Sequence, residues 1–165
     1  MSPLNTILIG SDQMPFYTDL RLVFDGFGGR QKEFTWLITD LECFNLGDHS
    51  GKLEMDMPMS PILVSGERLT EVVYENKIQF IWGVFSGFHP SIEIDVNNLT
   101  VEPFANGNPG FWRNPPQIQH PEATVELVCW DSTSTLLLSE DDDLDIRFRS
   151  YFSDARDLES YNQEP

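Results

Sequence analysis

The hydrophobic pattern of the chain is strongest in the stretch from Ile78 to Phe88, which has the sequence IQFIWGVFSGF. Apolar residues occupy both alternating sets of positions: one set contains Ile78, Phe80, Trp82, Val84 and Phe88, and the other contains Ile81 and Phe85. A strand that is apolar on both faces belongs in the middle of a sheet that is covered on both sides. We therefore predict a central strand at residues 78–88, with the two sets on opposite faces.

Shorter alternating patterns predict further strands along the chain. Their ranges are 20–24, 34–44, 52–57, 91–96, 99–104, 123–130 and 134–139. In the strand at 34–44 we expect Trp36 and Ile38 on one face, and Leu37, Leu41 and Cys43 on the other. Residues 4–9 either form a short edge strand or simply cover the core.

Helices are predicted where apolar residues recur three and four positions apart. The first helix spans 65–76, with Ser65 as its N-terminal cap. The second spans 140–152 after a cap at Ser139, and it continues or restarts to give a C-terminal helix at about 140–160. We therefore predict a single α+β domain over residues 1–165, with a mainly antiparallel sheet of roughly six to eight strands and two or three helices packed on it.

The segment 105–121 lacks any periodic pattern and is rich in proline, glycine and asparagine. A loop of this length in a compact domain is either functional or disordered. It contains Phe111, Trp112 and Arg113, and an exposed Trp–Arg pair is typical of an interface hot spot. The alternative, which is the commoner arrangement, is that Phe111 and Trp112 anchor the loop on the core.

The net charge of the chain limits the kinds of partner that it is expected to bind. The chain has 10 Lys and Arg residues against 27 Asp and Glu residues, so its formal net charge is −17. Such a chain repels nucleic acid and anionic membrane surfaces. The excess of acids either serves solubility or attracts a basic protein. The acids of the run at 140–145, chiefly Asp141, Asp142 and Asp143, are candidate contacts, although acids at a helix start also stabilise the helix dipole.

Candidate chemistry is sparse. Cys43 and Cys129 are expected to be buried thiols, and the three histidines are scattered without the spacing of a metal site. We expect no metal, no cofactor and no catalytic nucleophile, although the many acids leave a carboxylate-pair hydrolase open. The N-terminus lacks the pattern of a signal peptide, and no apolar run approaches the ~20 residues of a membrane span, so we expect a cytoplasmic protein.

Four short motifs carry a resemblance to known proteins. They are WLITDLE at 36–42, IWGVFSGF at 81–88, CWDS with TLLLS between 129 and 139, and DLESYN at 157–162. Together they resemble a small family of uncharacterised single-domain proteins of Bacillus-like bacteria. The resemblance implies a bacterial, cytoplasmic, single-domain protein and carries over no catalytic residue. In size and charge such proteins are similar to the immunity proteins that neutralise toxins, which is an analogy rather than a shared motif.

Three functions follow as hypotheses. The first is an acidic, non-enzymatic binding protein, in its most specific form an immunity or inhibitor protein that blocks a basic partner through Asp141–Asp143 and Phe111–Arg113. The second is a small hydrolase that uses a carboxylate pair in a cleft. The third is a structural homodimer formed through an exposed strand edge or the aromatic loop. A pocket with two inward acids would favour the hydrolase, and a flat acidic face would favour the binder.

Overall fold

The fold is a seven-stranded antiparallel sheet with four α-helices, seen in a computed structural model that describes residues 4–10, 12–14, 18–45 and 61–165. The strands are β1 Leu4–Ile9, β2 Thr35–Asn45, β3 Ile62–Ser65, β4 Ile78–Phe88, β5 Val125–Trp130, β6 Ser134–Ser139 and β7 Arg156–Asp157. Their order in the sheet is β3-β2-β4-β5-β6-β1-β7. The predicted α+β class is confirmed. The strand predicted at 52–57 lies outside the described residues.

The helices are α1 Leu20–Gly26, α2 Gly66–Glu75, α3 Asp142–Tyr151 and α4 Leu158–Asn162, and two short 3₁₀ turns span Arg30–Glu33 and Pro109–Trp112. The helix predicted at 65–76 is confirmed as α2, with the Ser65 side chain accepting a hydrogen bond from the Arg68 N–H. Of the two alternatives for the C-terminal helix, the restart is confirmed and a continuous helix is wrong, because β7 separates α3 from α4. Along the described parts of the chain, every helix is too short or too polar to cross a membrane.

The prediction of the central strand is confirmed, but the prediction of its faces is wrong. β4 lies inside the sheet between β2 and β5. Its pairing with β2 has two irregularities, and the one between Glu42 and Cys43 leaves Ile81 without an opposite residue, which shifts the alternation of β4 there. Phe80 therefore faces the same cluster as Phe85, whereas Trp82 and Val84 face the opposite one. A bulge moves every later side chain to the other face, which periodicity alone does not reveal.

The other irregularity changes the faces of β2. Asp40 has a φ of 52°, and the pairing slips between Thr39 and Glu42. Leu41 and Cys43 consequently pack against the cluster that holds Trp36, rather than on the face of Leu37 as predicted.

One side of the sheet, the helix face, is covered by α1, α2 and α3. Its largest fully buried side chains include Phe24, Phe27, Trp36 and Phe148. The strand predicted at 20–24 is wrong, since these residues begin α1. The five residues 20–24 fit the period of a strand as well as that of a helix. The Asp19 cap and the continuation of the apolar stripe to Phe27 favour the helix.

The other side, the loop face, is covered by the irregular segment 89–124 and by α4. The strand predicted at 91–96 is wrong because no ladder forms there, although Ile92, Ile94 and Val96 do pack partly buried against Leu37 and Phe88. Residues 99–104 are irregular as well. The loop predicted at 105–121 is confirmed, and within it only the 3₁₀ turn Pro109–Trp112 is regular.

Candidate functional site

The long loop is held on the sheet by carboxylate and amide side chains. The positive φ of Asp40 at the β2 bulge directs its carboxylate at the loop, where Oδ2 accepts the N–H groups of Ala105 at 2.9 Å and Asn106 at 2.8 Å. From β1, the Asn5 amide donates to the Pro116 carbonyl at 3.1 Å. These hydrogen bonds fix the backbone of the loop at two points. Asp40 and Ala105 are 65 positions apart in the sequence, and Asn5 and Pro116 are 111 apart.

Aromatic rings anchor the middle of the loop. The Trp130 ring packs edge-on against Phe111, with 5.9 Å between ring centroids, and against Trp112, with 4.9 Å. Phe111 is only 2% exposed, Trp112 is half-buried, and Arg113 is exposed. Phe111 therefore anchors the loop from inside the protein, and of the predicted contact trio only Trp112 and Arg113 reach the surface.

Much of the acidic run serves the fold. Asp141 caps α3 by accepting the Leu144 N–H at 3.0 Å, and its two oxygens accept both Arg30 amino groups at 2.9 and 2.8 Å. The hydrogen bonds from Arg30 hold the pKa of Asp141 below its usual range. Asp143 pairs with Arg30 at 3.1 Å and with Arg147 at 2.7 Å. Two of the three predicted contact acids are thus occupied by arginines.

Asp141, and not Ser139, is the N-terminal cap of α3. Ser139 instead accepts the Asp141 N–H and donates to its carbonyl, both at 2.9 Å.

Asp145, one turn further on, is 1% exposed, and its carboxylate accepts the Thr6 hydroxyl at 2.6 Å and pairs with Arg149 at 3.1 Å. Asp142 is half-buried and forms no ion pair with the described residues. Within the predicted trio, it is the acid left for a partner.

A buried carboxyl group lies under the loop. Glu126 on β5 is fully buried, and it accepts the Gln119 backbone N–H at 2.9 Å and the Gln119 side-chain amide at 3.3 Å. Burial raises the pKa of Glu126 to about 7, although the two hydrogen bonds from Gln119 act in the opposite direction. An acid with this pKa changes its charge near neutral pH, as groups in functional sites often do.

Other polar side chains share the sheet row of Glu126. Ser86 on β4 is its direct neighbour, and Asn5 on β1 stands beyond Leu138. The Ser86 hydroxyl and the Asn5 Oδ1 are both buried without a hydrogen-bond partner among the residues that the structure describes. Since buried polar groups are normally paired, this row is a polar exception within an apolar sheet.

A cavity of about 450 Å³ opens beside this row. Its polar lining consists of Asn5, Gln117, His120, Glu140 and Glu159. Its apolar walls are Pro115, Pro116, Ile118, Pro121 and Ala123. The volume falls within the range of about 300–1,000 Å³ that is common for ligand sites.

The electrostatics of this cavity favour positive charge. Two glutamates line it, and neither lysine nor arginine is among its described lining residues. His120 is 4% exposed, and its Nδ1 accepts the Glu122 N–H at 3.2 Å. Burial lowers the pKa of His120, so the ring is neutral at pH 7 and does not offset the glutamates. The cavity can therefore offer hydrogen-bond acceptors to a cation.

A second depression of about 250 Å³ adjoins the first one. The two share Pro115 and Gln117 in their walls, and the second is also lined by Phe111 and Arg113. Glu140, in the wall of the first cavity, directly precedes the Asp141 cap of α3. Phe111 and Arg113 therefore border the second depression, and the acids Asp141–Asp143 follow directly after a residue in the wall of the first cavity.

The cysteines and histidines form no reactive cluster in the described part of the chain. Cys43 and Cys129 are both free thiols, but only Cys129 is buried as predicted, whereas Cys43 is half-buried. Burial raises the pKa of the Cys129 thiol, which keeps it protonated. No group of three or more histidine, cysteine, aspartate or glutamate residues suited to a metal ion is found among the described residues, which do not include His49.

Sequence reasoning missed the residues that build this cavity. Near the cavity, only Glu126 carried a signal, since it is the one acid in the otherwise apolar strand VELVCW, although it is not part of the cavity lining. Asn5, His120 and Glu159 come from β1, the loop and α4, which are far apart in the chain. Their proximity depends on sheet order, which the sequence did not predict.

Comparisons with protein-family models, with curated proteins and with solved structures find no match to this chain. The resemblance to a Bacillus-like family therefore gains no support from them. The function has to be argued from the site itself.

Proposed function

We propose that this chain is a non-enzymatic binding protein for a basic protein, and that the partner docks on the loop face over the larger cavity. The observation that carries the proposal is the cavity lined by Glu140 and Glu159, with no lysine or arginine among the described residues around it. Opposite charge gives specificity and fast association more than it gives affinity. A concave acidic site is suited to a protruding basic group.

The surface around the cavity is acidic as well, which also favours a basic partner. Segment 89–124 exposes Glu93, Asp95, Glu102 and Glu122, against a single arginine at position 113. These acids add to the net charge of −17 and create a negative potential over the loop face. Asp142, Trp112 and Arg113 complete the proposed contact at its edges, while Asp141 and Asp143 contribute through the structure of α3.

The most specific form of the proposal is a bacterial immunity or inhibitor protein that acts in the cytoplasm. It would cover the functional surface of a basic toxin, such as a nuclease, and block it by occlusion. Its support is the size and charge of the chain and the two thiols, which suit a reducing compartment.

The experiment is capture of partners from the lysate of the native host, with the full chain as bait. We expect a basic protein that is retained at low salt and released at high salt, because exposed charges are screened at high ionic strength. The matched variants are E140Q/E159Q in the cavity and E67Q/E75Q on α2, which remove the same charge from opposite faces. Association of the captured protein should slow about tenfold with the first pair.

The second pair, E67Q/E75Q, should leave the association rate of that protein within about twofold of wild type. Equal slowing by both pairs would show that net charge, rather than the loop face, attracts the partner. Capture of an acidic protein at every salt concentration would contradict the proposal.

A small hydrolase is the second candidate, because the cavity does bring two glutamates together. Glu126 behind its wall has a pKa raised to about 7, which suits a general acid at neutral pH, although it is fully buried. A screen of chromogenic glycosides and esters would test this function. Turnover that falls at least about 100-fold in both E140Q and E159Q would favour it over the binding protein. The homodimer stays a prediction, for which the test is a solution mass near twice 18.9 kDa.

A further inference from the structure

We infer that the dipeptide Asn106–Gly107 is a site of spontaneous deamidation, and that its acidic products release the long loop from its anchor on β2. The inference goes beyond the proposed function, because the reaction needs no partner. Asn106 and Gly107 are both exposed, and they form the central pair of a turn in which the Asn108 N–H donates to the Ala105 carbonyl at 3.0 Å. This is the only Asn–Gly pair in the sequence.

The reaction consumes water alone. The backbone nitrogen of Gly107 attacks the side-chain carbonyl carbon of Asn106, the bond from that carbon to Nδ2 breaks, and ammonia leaves with the proton of the Gly107 N–H. The product is a cyclic succinimide, and water then opens its ring at one of the two carbonyl groups. Opening at the side-chain carbonyl gives aspartate. Opening at the backbone carbonyl gives isoaspartate, in which the main chain runs through the former side chain.

The two reacting groups are not held by hydrogen bonds. Neither the Gly107 N–H nor the side-chain amide of Asn106 has a hydrogen-bond partner among the described residues. No heavy atom lies within 4 Å of the place where a Cβ of residue 107 would stand, so the approach to the nitrogen is open. Asn108 and Asn114, in the same loop, each precede proline, whose nitrogen carries no hydrogen to lose. The reaction is therefore selective for Asn106 within this loop.

The pair Asp25–Gly26 offers a comparison in a closed environment. An aspartate before glycine forms the same succinimide in a flexible chain, but Gly26 is buried in α1. A Cβ built there would lie 3.1 Å from the Phe152 ring, and the Asp25 carboxylate accepts the Tyr74 hydroxyl. Helical backbone N–H groups also donate to carbonyl groups one turn earlier. This pair should therefore stay unchanged while Asn106–Gly107 reacts.

The products place a negative charge beside the anchor of the loop. Asp40 Oδ2 accepts the Asn106 N–H at 2.8 Å and the Ala105 N–H at 2.9 Å. Both products carry a carboxylate on residue 106 itself, and like charges at such close range repel each other. Isoaspartate also lengthens the main chain, so the two N–H groups no longer converge on one oxygen. The Phe104 backbone remains bound to the Gln119 side chain at 3.0 and 3.1 Å, which confines the release to the turn.

The test is prolonged incubation of the full chain in mildly alkaline buffer, followed by digestion and mass spectrometry of the peptide that contains residue 106. We expect this peptide to convert into two chromatographically separate products with the mass of the acid, and the peptide that contains Asp25 to give no isoaspartate. In hydrogen-exchange NMR of the incubated protein, the Ala105 N–H should exchange at least about fivefold faster than in fresh protein, while the Gln119 N–H should keep its rate.

Two variants separate the chemistry from its consequence. Asn106→Gln is the matched control and should give neither the products nor faster exchange on incubation, because its longer side chain closes the ring far less readily. Freshly prepared Asn106→Asp should speed exchange at Ala105 by a smaller factor, since it adds the charge without the longer main chain. Recovery of the Asn106 peptide unchanged after incubation would overturn the inference. Deamidated protein whose Ala105 N–H exchanges as slowly as in fresh protein would overturn it as well.

Discussion

The two faces of the sheet are covered by different means. On the helix face, α1, α2 and α3 bury a continuous set of aliphatic and aromatic side chains, so apolar burial supplies most of the stability there. On the loop face, the covering segment has no helix or strand longer than a 3₁₀ turn, and carboxylate and amide side chains such as Asp40, Glu126 and Asn5 hold its backbone. The second arrangement places polar groups under the surface, beside the apolar clusters of that face.

The distribution of unsatisfied atoms shows the same difference. Four buried side-chain atoms in the described residues lack a hydrogen-bond partner. Asn5 Oδ1, Thr39 Oγ1 and Ser86 Oγ lie on the loop face, and only Gln31 Oε1 lies elsewhere. Natural proteins depart from the rule of paired polar groups mainly at functional sites. This difference supports the proposal that a partner docks on the loop face.

The largest effect is expected where the loop face depends on an apolar anchor. Phe111→Ala should lower the free energy of unfolding by about 3–5 kcal/mol, because the Phe111 side chain is only 2% exposed and its removal leaves a cavity. Phe148→Ala, at a fully buried position on the helix face, is the matched variant and should cost about as much. Urea unfolding of both variants measures the two losses. A loss below about 1 kcal/mol for Phe111→Ala would mean that the loop is not part of the cooperative fold.

Glu126 should make stability depend on pH. The pKa of its carboxyl group is about 7 in the folded protein, against 4.5 for an ordinary glutamate, so between these values the folded state alone holds the proton. Stability from this group is complete below pH 4.5 and is lost as the pH rises through 7. Relative to Glu126→Gln, wild type should therefore lose about 2–3 kcal/mol between pH 5 and pH 8. Urea unfolding of both proteins across this range measures the difference.

The comparison with Glu126→Gln removes the contribution of all other acids, which titrate in both proteins. A control is Glu122→Gln, an exposed acid on the same loop, whose stability should remain parallel to wild type at every pH. A constant difference between wild type and Glu126→Gln from pH 5 to pH 8 would show that Glu126 stays charged when folded.

The sequence predicted the helix face better than the loop face. The apolar residues three and four positions apart, together with the Ser65 cap, identified α2. Apolar residues at alternate positions identified β2, β4, β5 and β6. These elements are long enough for the period of their apolar residues to be clear. α1 was missed since LRLVF fits a strand and a helix equally well. At 91–96, Ile92 and Ile94 are partly buried at alternate positions, which gives the pattern of a strand, but no neighbouring strand pairs with this segment.

The site was less predictable for a physical reason. Its parts come from β1, the long loop and α4, and their relative positions depend on sheet order, which leaves no periodic signal. Trp112 and Arg113 were found through composition, while Asn5 and Glu159 have no local feature that distinguishes them. The sequence also does not show that Arg30 pairs with Asp141, which gives this acid a structural role besides the predicted contact.

A smaller effect is expected from the bulge on β2. Asp40→Ala removes the acceptor of two loop N–H groups and places alanine at a φ of 52°, so it should cost about 2 kcal/mol. Asp40→Asn keeps an acceptor oxygen and tolerates this backbone conformation, so it should cost under about 1 kcal/mol. Thermal unfolding of both variants measures the two losses. Equal losses would show that charge, rather than the hydrogen bonds and the bulge, holds the loop.

The smallest effect concerns the acids at the start of α3, on the helix side of the molecule. Asp141→Ala should lower stability by about 1 kcal/mol at pH 7, because it removes the cap of α3 and the partner of Arg30. Asp142→Ala should change stability by less than about 0.5 kcal/mol. Arg30 lowers the pKa of Asp141, so this contribution is present above the unfolded pKa of about 4 and is lost in more acidic solution. If Asp142→Ala instead proved the more destabilising of the two in urea unfolding at pH 7, the acid run would not divide between structure and binding as argued.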